Sequence, residues 1–409
     1  MGVLNVIGLG YIGLPTSLMF ASHGVEVVGT DLNKELVASL NDGKLTFEES
    51  GLDDIFQEAI DKGIKFSNEY AKTNRYLITV PTPYISESKK IDASYVIAAT
   101  KQVMEVCDAG TILVIESTIS PGTIDRFVRP VIEEKGFKVG EDIHLVHAPE
   151  RIIPGNMVYE LKHNSRTIGA DSEEVGEEVK EWYKSFCEGD IVVTDIKTAE
   201  MSKVVENTFR DINIAFANEL AKICNREDMD VYELIRIANK HPRVNILQPG
   251  PGVGGHCISV DPWFLVGDYP DVVNVIASAR EVNDGAPSYI YSRIKEIMSK
   301  NGIKDFSRVG LYGLTYKENV DDMRESPTLQ LLEVLKEENI NDVKVYDPMI
   351  KERKIDNQVM NIDEFLNEVD IVVVLVAHDE IKNNQALLNN KIIYDTRNII
   401  NLEGRVYRL

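Results

Sequence analysis

One cysteine lies in the segment of this chain that is least suited to regular secondary structure. The segment PGPGVGGHCISVDP runs from Pro249 to Pro262 and places six proline and glycine residues before Cys257. Such residues disfavour both helix and strand, so this backbone is shaped for another purpose. Gly254 and Gly255 leave room for a substrate, and Asp261 is placed to orient a base or a water molecule. The pattern favours a catalytic thiol, with a buried structural cysteine as the alternative.

A reactive cysteine is helped by positive charge nearby, because a cation stabilises the thiolate. Lys203, Asn207 and Arg210 are spaced at i, i+4 and i+7 in a helical pattern, so they share one helix face. The alternative reading of that stripe is an ordinary solvated face. His256, next to the cysteine, is a further candidate base, although neighbours in sequence often point apart.

A glycine-rich turn near the start of the chain indicates a dinucleotide site. Gly8, Gly10 and Gly13 follow an apolar run in GLGYIG, and Asp31 ends the next apolar run. The glycines allow a tight turn, a close approach to a pyrophosphate, and close packing of helix on strand. A carboxylate at Asp31 accepts hydrogen bonds from ribose hydroxyls and repels a 2′-phosphate, which favours NAD over NADP. The alternative is a turn cluster without a ligand.

The last quarter of the chain carries only half of such a fingerprint. Gly310 and Gly313 occur without the third glycine, so a second NAD site is not predicted. Ser326 and Pro327 are typical of the start of a helix. The loop before them holds two cations, Lys317 and Arg324, where the carboxyl edge of a sheet would bind a ligand. Two solvated surface cations are the alternative interpretation.

These residues need elements that hold them, and two regions of the sequence supply alternating strands and helices. The first region contains VLNVIGLG, VEVVGTD, RYLITVPTP, TILVIESTIS and IHLVHAPER; the last contains RVGLYGL, DVKVYDP, VDIVVVLVA and KIIYDTRN. Near-continuous apolar runs separated by helices predict parallel sheets covered on both faces. The fold class predicted is therefore α/β, with two Rossmann-like parallel-sheet domains joined by a helical middle.

The predicted domains are a NAD-binding domain at 1–197, a helical central and dimerisation domain at 198–300, and a C-terminal domain at 301–409. Apolar residues recur at helical spacing from Thr198 to about Asn225, which predicts one long central helix of about 40 Å. Its length exceeds what either flanking domain needs. We therefore expect it to be the spine of a homodimer.

Composition limits the classes of partner. The 409 residues carry a formal net charge of -22, which argues against nucleic acid and anionic membrane surfaces. An anionic small molecule then needs a local cluster of Lys and Arg. The four cysteines have no zinc spacing, and His144 and His147 lie on opposite sides of a predicted strand, so no metal is expected. Reduced thiols, with no signal peptide or membrane span in the sequence, predict a cytoplasmic protein.

Taken in order, the motifs resemble the UDP-glucose/GDP-mannose dehydrogenase family over essentially the whole length. The matching pieces are GLGYIG, VPTP, ESTISPGT, HAPERIIPGN, EMSKVVENTFRDINIAFANE, GPGVGGHCISVDPWF, AREVND, GLTYKENVDDMRESP and YDTRN. The resemblance implies oxidation of a sugar C6 alcohol to a carboxylate with two NAD, and it makes the Rossmann-like domain at 301–409 the UDP-sugar-binding domain. An enzyme that oxidises an alcohol twice needs a nucleophile to retain the aldehyde, which would explain the cysteine. GGHCISVDPWF, around the cysteine, and ERIIPGNMVYEL most resemble the members of the family that act on UDP-N-acetyl-D-mannosamine, so the resemblance implies this substrate.

The resemblance also implies roles for individual residues. Cys257 would form a thiohemiacetal and then a thioester, Lys203 and Asn207 would stabilise oxyanions, and Asp261 would assist proton transfer. Two further residues are expected to take part in catalysis, Thr118 and Glu150. The residues expected to bind the cofactor are Gly8, Gly10, Tyr11, Ile12, Gly13, Asp31, Thr82, Thr118 and Arg324. The residues expected to bind the substrate are Glu150, Arg151, Lys203, Asn207, Arg210, Arg243, Gly254, Lys317 and Arg397. Arg243 would be lent across the subunit interface.

Three alternatives remain at this point. The same reaction on UDP-N-acetylglucosamine or UDP-glucose differs only in the sugar. A two-electron hydroxyacid dehydrogenase would need neither Cys257 nor the last domain. A non-catalytic nucleotide-sugar sensor would tolerate loss of Cys257 or Lys317, yet both residues are present. The yield of NADH per sugar nucleotide separates them, at two, one and none respectively.

Overall fold

The computed structural model describes residues 2–47, 49–255 and 257–409. By contacts, the chain divides into two compact units, Met1–Glu206 and Asn207–Leu409. This division falls inside one helix and groups residues 207–300 with the last sheet. The three-domain division into 1–197, 198–300 and 301–409 stays a prediction.

The first unit is built on an eight-stranded sheet with the order β3-β2-β1-β4-β5-β6-β7-β8. Its strands are β1 (Leu4–Ile7), β2 (Val27–Thr30), β3 (Lys65–Ser67), β4 (Arg75–Ile78), β5 (Thr111–Ile115), β6 (Ile143–His147), β7 (Arg166–Ala170) and β8 (Ile191–Thr194). Its helices are α1 (Gly13–Ser22), α2 (Lys34–Asn41), α3 (Leu52–Asp61), α4 (Ser94–Val106), α5 (Arg129–Glu134), α6 (Met157–His163) and α7 (Glu173–Tyr183), with a π-helical turn at Ile124–Val128. The order 3-2-1-4-5-6 is that of a dinucleotide-binding sheet.

The degree of burial explains why some strands of this sheet can be predicted from apolar runs in the sequence and others cannot. The strands β1 and β5 are buried along their whole length, as expected for central parallel strands. The short edge strand β3 has only one buried residue, and β8 is largely half-exposed, so neither stands out as an apolar run. The strand β7 was also not predicted, and it pairs antiparallel with β6 while every other pair in this sheet is parallel. The expectation of a wholly parallel sheet is corrected at this pair.

The predicted long helix is confirmed as α8 (Ile196–Arg226), which has 31 residues. At 1.5 Å per residue its axis is about 46 Å long. It is followed by α9 (Val231–Ala238), α10 (Asp261–Asp268), α11 (Asn274–Asp284) and α12 (Ala286–Lys300). Among the described residues, no strand occurs between β8 and β9, as the helical pattern indicated.

The second unit also contains a five-stranded sheet with the order β10-β9-β11-β12-β13, in which every pair is parallel. Its strands are β9 (Val309–Tyr312), β10 (Lys344–Tyr346), β11 (Ile371–Val374), β12 (Ile392–Asp395) and β13 (Val406–Arg408). Its remaining helices are α13 (Pro327–Glu337), α14 (Ile362–Glu368) and α15 (Asp379–Asn383), with 3₁₀ turns at Phe306–Arg308 and Gln385–Leu388. Ser326 caps α13, because its hydroxyl accepts the Thr328 N–H at 3.1 Å.

No helix in the described ranges has both the length and the apolar character that crossing a membrane requires.

Candidate active site

The glycine turn between β1 and α1 has the geometry that the dinucleotide motif requires. Gly8 has φ +93°, and a Cβ at Gly13 would lie 1.8 Å from the Gly8 carbonyl oxygen. Neither position admits a side chain without rearrangement. A Cβ at Gly10, in contrast, would meet no atom within 4 Å. Gly10 therefore leaves open space beside the backbone, which is what the approach of a pyrophosphate needs.

Asp31 is tied to this turn from the end of β2. Its Oδ2 accepts the Leu9 N–H at 2.8 Å, and its Oδ1 accepts the Asn33 N–H at 2.8 Å. The side chain is half-buried, and each oxygen keeps a lone pair for another donor. The carboxylate thus keeps the acceptor capacity that ribose hydroxyls need, and its role in binding NAD stays a prediction.

Two other residues expected at the cofactor have mainly packing contacts in this structure. The rings of Tyr11 and Phe47 are stacked with centroids 4.5 Å apart. Ile12 packs against the core of the first unit. Their roles at the cofactor stay predictions.

The loop after β5, which carries Thr118, is anchored at both ends. The Thr82 hydroxyl donates to the Thr118 carbonyl at 2.5 Å. Further along, the Gly122 and Ile124 N–H groups donate to the carboxylate of Glu200 on α8, at 2.5 and 2.9 Å. Burial raises the pKa of Glu200 to about 7. No sequence pattern predicts this anchor, because a lone Glu on a helix normally faces solvent.

Glu150 belongs to a buried network of charges that sequence reasoning missed. Its Oε1 accepts the N–H groups of Arg151 and Ile152 at 2.6 and 3.1 Å. Its other oxygen forms an ion pair with Arg166, which also pairs with Glu116 at 3.3 Å. All three charged side chains are at most 5% exposed. This arrangement fixes the direction of the Glu150 carboxylate within the first unit.

Glu116 completes that network. It accepts the hydroxyl of Tyr183 at 2.9 Å, and the Arg166 guanidinium lies over the Tyr183 ring. Burial raises the pKa of Glu116 to about 7, although Arg166 acts in the opposite direction. The network therefore contains one arginine and two carboxyl groups, one of which titrates near neutral pH.

The cations on and near α8 differ in their surroundings. Lys203 is buried, and among the described residues it has no hydrogen bond or ion pair. Arg151 is committed to Glu206 at 2.7 Å, to the Ser165 carbonyl and to the Thr167 hydroxyl. Lys203 is thus a buried ammonium available to a ligand, whereas Arg151 already has three partners within its own unit.

In the second unit, Cys257 lies one turn before α10. The Asp261 N–H donates to the Cys257 carbonyl at 2.9 Å. Cys257 is half-exposed, whereas the other three cysteines are buried, and burial raises the pKa of the Cys107 and Cys224 thiols. Cys257 is therefore the cysteine best placed to react.

A buried pair lies beside that turn. The side-chain amide of Asn207 donates to Asp261 Oδ2 at 2.6 Å, and both residues are at most 4% exposed. The bond fixes the orientation of the carboxylate. His256, the alternative base, lies outside the described residues.

The two glycines before the cysteine have a different surrounding from the one expected. A Cβ at Gly254 would lie 2.6 Å from the Glu325 carbonyl oxygen, and a Cβ at Gly255 would lie 2.8 Å from the Tyr316 ring. Gly255 has φ +80°, and its N–H donates to the Arg324 carbonyl at 3.0 Å. Their small size lets the loop after β9 pack on the cysteine segment. The sequence pattern predicts that these glycines leave space for a substrate, whereas in the structure the space beside them is occupied by the loop after β9. Contact of Gly254 with a substrate stays a prediction.

The remaining candidate cations are mostly exposed. Lys317 is half-buried, whereas Arg210, Arg243, Arg324 and Arg397 are exposed.

Two of these cations have contacts that bear on their predicted roles. Arg324 pairs with Asp322 at 2.6 Å inside its own loop. A Cβ at Gly250 would lie 3.1 Å from Arg397 Nη1, so that guanidinium lies against the segment leading to Cys257. In the described ranges, no group of three or more His, Cys, Asp or Glu residues is arranged to hold a metal ion.

Comparison with known proteins identifies one family, three of whose domains match successive parts of the chain. Residues 3–187 match the NAD binding domain of the UDP-glucose/GDP-mannose dehydrogenase family, residues 197–285 match its central domain, and residues 310–402 match its UDP binding domain.

Individual relatives agree with these matches over nearly their full length. The UDP-N-acetyl-D-mannosamine dehydrogenase of Methanococcus vannielii is 43% identical over 97% of this chain and 92% of the relative. The NDP-N-acetyl-D-galactosaminuronic acid dehydrogenase of Ralstonia nicotianae is 40% identical over 96% of this chain and 95% of the relative. The solved UDP-N-acetyl-mannosamine dehydrogenase of Staphylococcus aureus is 41% identical, with a TM-score of 0.89 over 99% of this chain and 98% of that one.

Proposed function

Because this chain belongs to the UDP-glucose/GDP-mannose dehydrogenase family, we propose that it oxidises the C6 hydroxyl of UDP-N-acetyl-D-mannosamine to the carboxylate. The observation that carries this proposal is the environment of Cys257. It is a half-exposed cysteine one turn before an aspartate that a buried asparagine orients. A two-electron dehydrogenase has no use for such a nucleophile, whereas retention of an aldehyde requires one.

NAD is the cofactor, and when bound it would supply the hydride acceptor for each of the two oxidations. The residues that would hold it are the Gly8–Gly13 turn and Asp31, with Tyr11, Ile12, Thr82, Thr118 and Arg324 proposed nearby. The open space at Gly10 and the spare lone pairs of Asp31 are what support this assignment. Asp31 selects against a 2′-phosphate by like-charge repulsion.

The cysteine is proposed to act between the two oxidations. Its thiolate adds to C6 of the aldehyde, forming a C–S bond and an alkoxide oxygen, which is protonated to give the thiohemiacetal. After the second oxidation the product is a thioester. Water then adds to C6, the C–S bond breaks, and the thiolate leaves as the carboxylate forms.

The proposed partners of Cys257 have separate tasks. Lys203 and Asn207 donate to the oxygen that becomes negative at C6. Asp261 takes the proton of the attacking water, since Asn207 holds its carboxylate in one orientation. Thr118 and the fixed carboxylate of Glu150 orient that water.

The nucleotide sugar is proposed to bind through cations that offset the acidic balance of the chain. These residues are Lys317, Arg210, Arg243 and Arg397, with Arg151 and Gly254 as further contacts. A local positive cluster is needed because the chain carries a net charge of -22 and a UDP-sugar is itself anionic.

The identity of the sugar rests on the relatives. Several of the most similar are called UDP-N-acetyl-D-mannosamine dehydrogenases, and others are called NDP-N-acetyl-D-galactosaminuronic acid dehydrogenases. UDP-N-acetylgalactosamine is therefore a second candidate, alongside UDP-N-acetylglucosamine and UDP-glucose. Side-by-side turnover of these four sugar nucleotides, with NADH counted per molecule consumed, tests the proposal. Two NADH per UDP-N-acetyl-D-mannosamine is the expected result, and one or none contradicts it.

The assembly is proposed to be a homodimer formed through α8. Four large apolar side chains on this helix are 48–61% exposed: Val205, Phe209, Phe216 and Ile223. Their spacing of 4, 7 and 7 residues places them on one face. A second copy of the same helix would cover this stripe in an isologous contact. None of the four cysteines forms a disulfide in the part of the chain that the structure describes, which supports a cytoplasmic location.

A further inference from the structure

The two nucleotide-binding sheets of this chain share a local pattern at their first two strands. In the first unit, β1 leads into Gly8, and Leu9 donates its N–H to Asp31 after β2. In the second, β9 leads into Gly313, and the Leu314 N–H donates at 2.5 Å to Asp347, the residue after β10. The φ values of the two glycines are +93° and +100°. Each acid also accepts a hydrogen bond from the backbone N–H two residues further on. For Asp347 the donor is the Met349 N–H, at 2.8 Å.

The free capacity of the two acids differs, however. Asp31 is half-buried and has one donor on each oxygen. Asp347 is 3% exposed, and its Oδ2 accepts from three groups, the N–H groups of Leu314 and Thr315 and the ring of His378. Thr315 also stands where the first unit has the open Gly10. The Oδ2 of Asp347 is thus fully used by its own chain, and the burial of the carboxylate leaves it inaccessible to a ribose.

His378 links this acid to the loop that carries Lys317. The Asn319 N–H donates to His378 Nδ1 at 3.0 Å, so the ring proton is assigned to Nε2. Nε2 lies 3.2 Å from Asp347 Oδ2 and 3.3 Å from Thr315 Oγ1. A single ring proton is therefore shared between these two acceptors, and both ring nitrogens are satisfied.

Thr315 closes the loop from its other end. Its hydroxyl donates to the carbonyl of Lys317 at 2.9 Å, which agrees with its oxygen accepting from His378. Lys317 is thus bracketed by Thr315 on one side and Asn319 on the other, and both residues bond to His378. Asn319 has φ +57°, a conformation that Asn tolerates better than most residues.

The side chains that form this hydrogen-bond network are buried, so their bonds do not compete with solvent. Thr315 and His378 are both fully buried. Burial alone would raise the pKa of Asp347, but hydrogen bonds from His378 and the two backbone N–H groups lower it below its ordinary value. An ionised Asp347 then holds the first part of the loop directly and the second part through the histidine.

The position of this network is the place where such a sheet binds ligands. The order β10-β9-β11 puts β9 between the strand that precedes Asp347 and the strand that precedes His378. The chain reverses direction across the sheet at this point, and the carboxyl edge there forms the ligand crevice of doubly wound folds.

We propose that His378, held by Asp347, is a positioning residue for Lys317, fixing the Leu314–Asn319 loop in the conformation that binds the nucleotide sugar. The same bonds use up the acid that would bind a ribose in a dinucleotide site, so this unit is specialised for a different nucleotide ligand. The proposal rests on the proposed function only in taking Lys317 as a substrate contact.

The first experiment measures UDP and NAD affinity by titration calorimetry on the full chain. His378→Leu replaces the ring by an apolar side chain of similar size and removes its contacts with Asn319, Asp347 and Thr315. UDP should bind about tenfold more weakly, because a lost buried hydrogen bond is worth about 1–1.5 kcal/mol. NAD affinity should stay within about twofold of the parent value. His378→Asn keeps an acceptor near the Asn319 N–H and should recover part of the UDP affinity.

A matched control separates this role from general loss of packing. Tyr346→Phe removes a hydroxyl that donates to Glu380 at 2.9 Å, near the same sheet edge but off the Lys317 loop. It should leave UDP affinity unchanged. Thr315→Val removes only the hydroxyl and should weaken UDP binding about threefold to tenfold, which keeps the test intact if His378→Leu does not fold.

A double-mutant cycle with Lys317→Met decides whether His378 acts through the lysine. In the Lys317→Met background, His378→Leu should weaken UDP binding less than about twofold further. Full additivity, or unchanged UDP affinity in both His378→Leu and Thr315→Val, would overturn the positioning role. Failure of the parent protein to bind UDP would contradict the proposed function instead, so the two failures are distinguishable.

Discussion

Replacement of Glu116 by glutamine should make the first unit more stable relative to the parent protein as the pH rises. Glu116 is fully buried, and its pKa is raised from the ordinary 4.5 to about 7. Such a carboxyl is protonated in the folded protein below about pH 7, whereas in the unfolded chain it is ionised above about pH 4.5. Its stabilising contribution is therefore complete below pH 4.5 and is lost as the pH rises through 7.

The size of the effect follows from the shift. A displacement of roughly two to three pH units corresponds to about 3 kcal/mol in the free energy of unfolding. Glutamine has nearly the same shape, and its oxygen can still accept from Tyr183 and Arg166. Arg166 also keeps Glu150 as its counter-ion. Glu116→Gln should thus be close to the parent in stability at pH 4.5 and gain up to about 3 kcal/mol on it at pH 8.

Scanning calorimetry at the two pH values measures this difference. For a unit of about 200 residues, 3 kcal/mol corresponds to a relative shift in Tm of roughly 6–12 °C. Glu178→Gln is the matched control, because Glu178 pairs with Arg75 at 3.3 Å on the surface of the same unit. It should change stability by less than about 1 kcal/mol at either pH. Parallel pH profiles for Glu116→Gln and the parent would refute the reasoning.

Three other outcomes are expected. Cys257→Ser should fold and bind NAD and UDP like the parent, but uronate formation should fall by at least about 10³-fold, because an ester forms and hydrolyses less readily than a thioester. Near-normal uronate formation, measured by product chromatography, would make Cys257 structural. Asp31→Ser should raise kcat/KM for NADP at least about tenfold and lower it for NAD, since the repelling charge is gone; equal efficiency of the parent with both cofactors would refute the role of Asp31. Phe209→Lys, in the middle of the exposed apolar face of α8, should produce a monomer by light scattering at micromolar concentration, whereas the parent should be a dimer; a fully active monomeric parent would contradict the proposed assembly.

Much of the scaffold could be predicted because its signals are local. Near-continuous apolar runs such as LNVI and TILVI form strands buried on both faces, and the helical recurrence after Thr198 forms α8. The glycine turn was predictable for the same reason. The positive φ of Gly8 and the crowded space at Gly13 are requirements of a short stretch of backbone, and only glycine meets them.

The charged interior could not be predicted in this way. Arg166 lies 50 residues from Glu116, and Glu200 lies 76 residues from Ile124, so no spacing in the sequence relates these partners. A charged residue is ordinarily expected at the surface, and only a partner brought in by the fold makes its burial acceptable. The antiparallel direction of the β6–β7 pair likewise depends on where the chain returns to the sheet, and the residues of β7 alone do not determine it.

Asp31 and Asp347 show most directly where the sequence stops being sufficient. Both follow an apolar strand, both lie after a Gly-Leu turn, and each accepts the leucine N–H of that turn. The sequence predicted the ribose-binding role of Asp31 from this pattern, and the missing third glycine argued against a second dinucleotide site. Only the tertiary structure brings His378, from the loop after β11, to Asp347, where it takes the remaining acceptor capacity of Oδ2. Backbone conformation is decided by neighbouring residues, whereas the free lone pairs of a buried carboxylate are decided by whatever donors distant strands place around it.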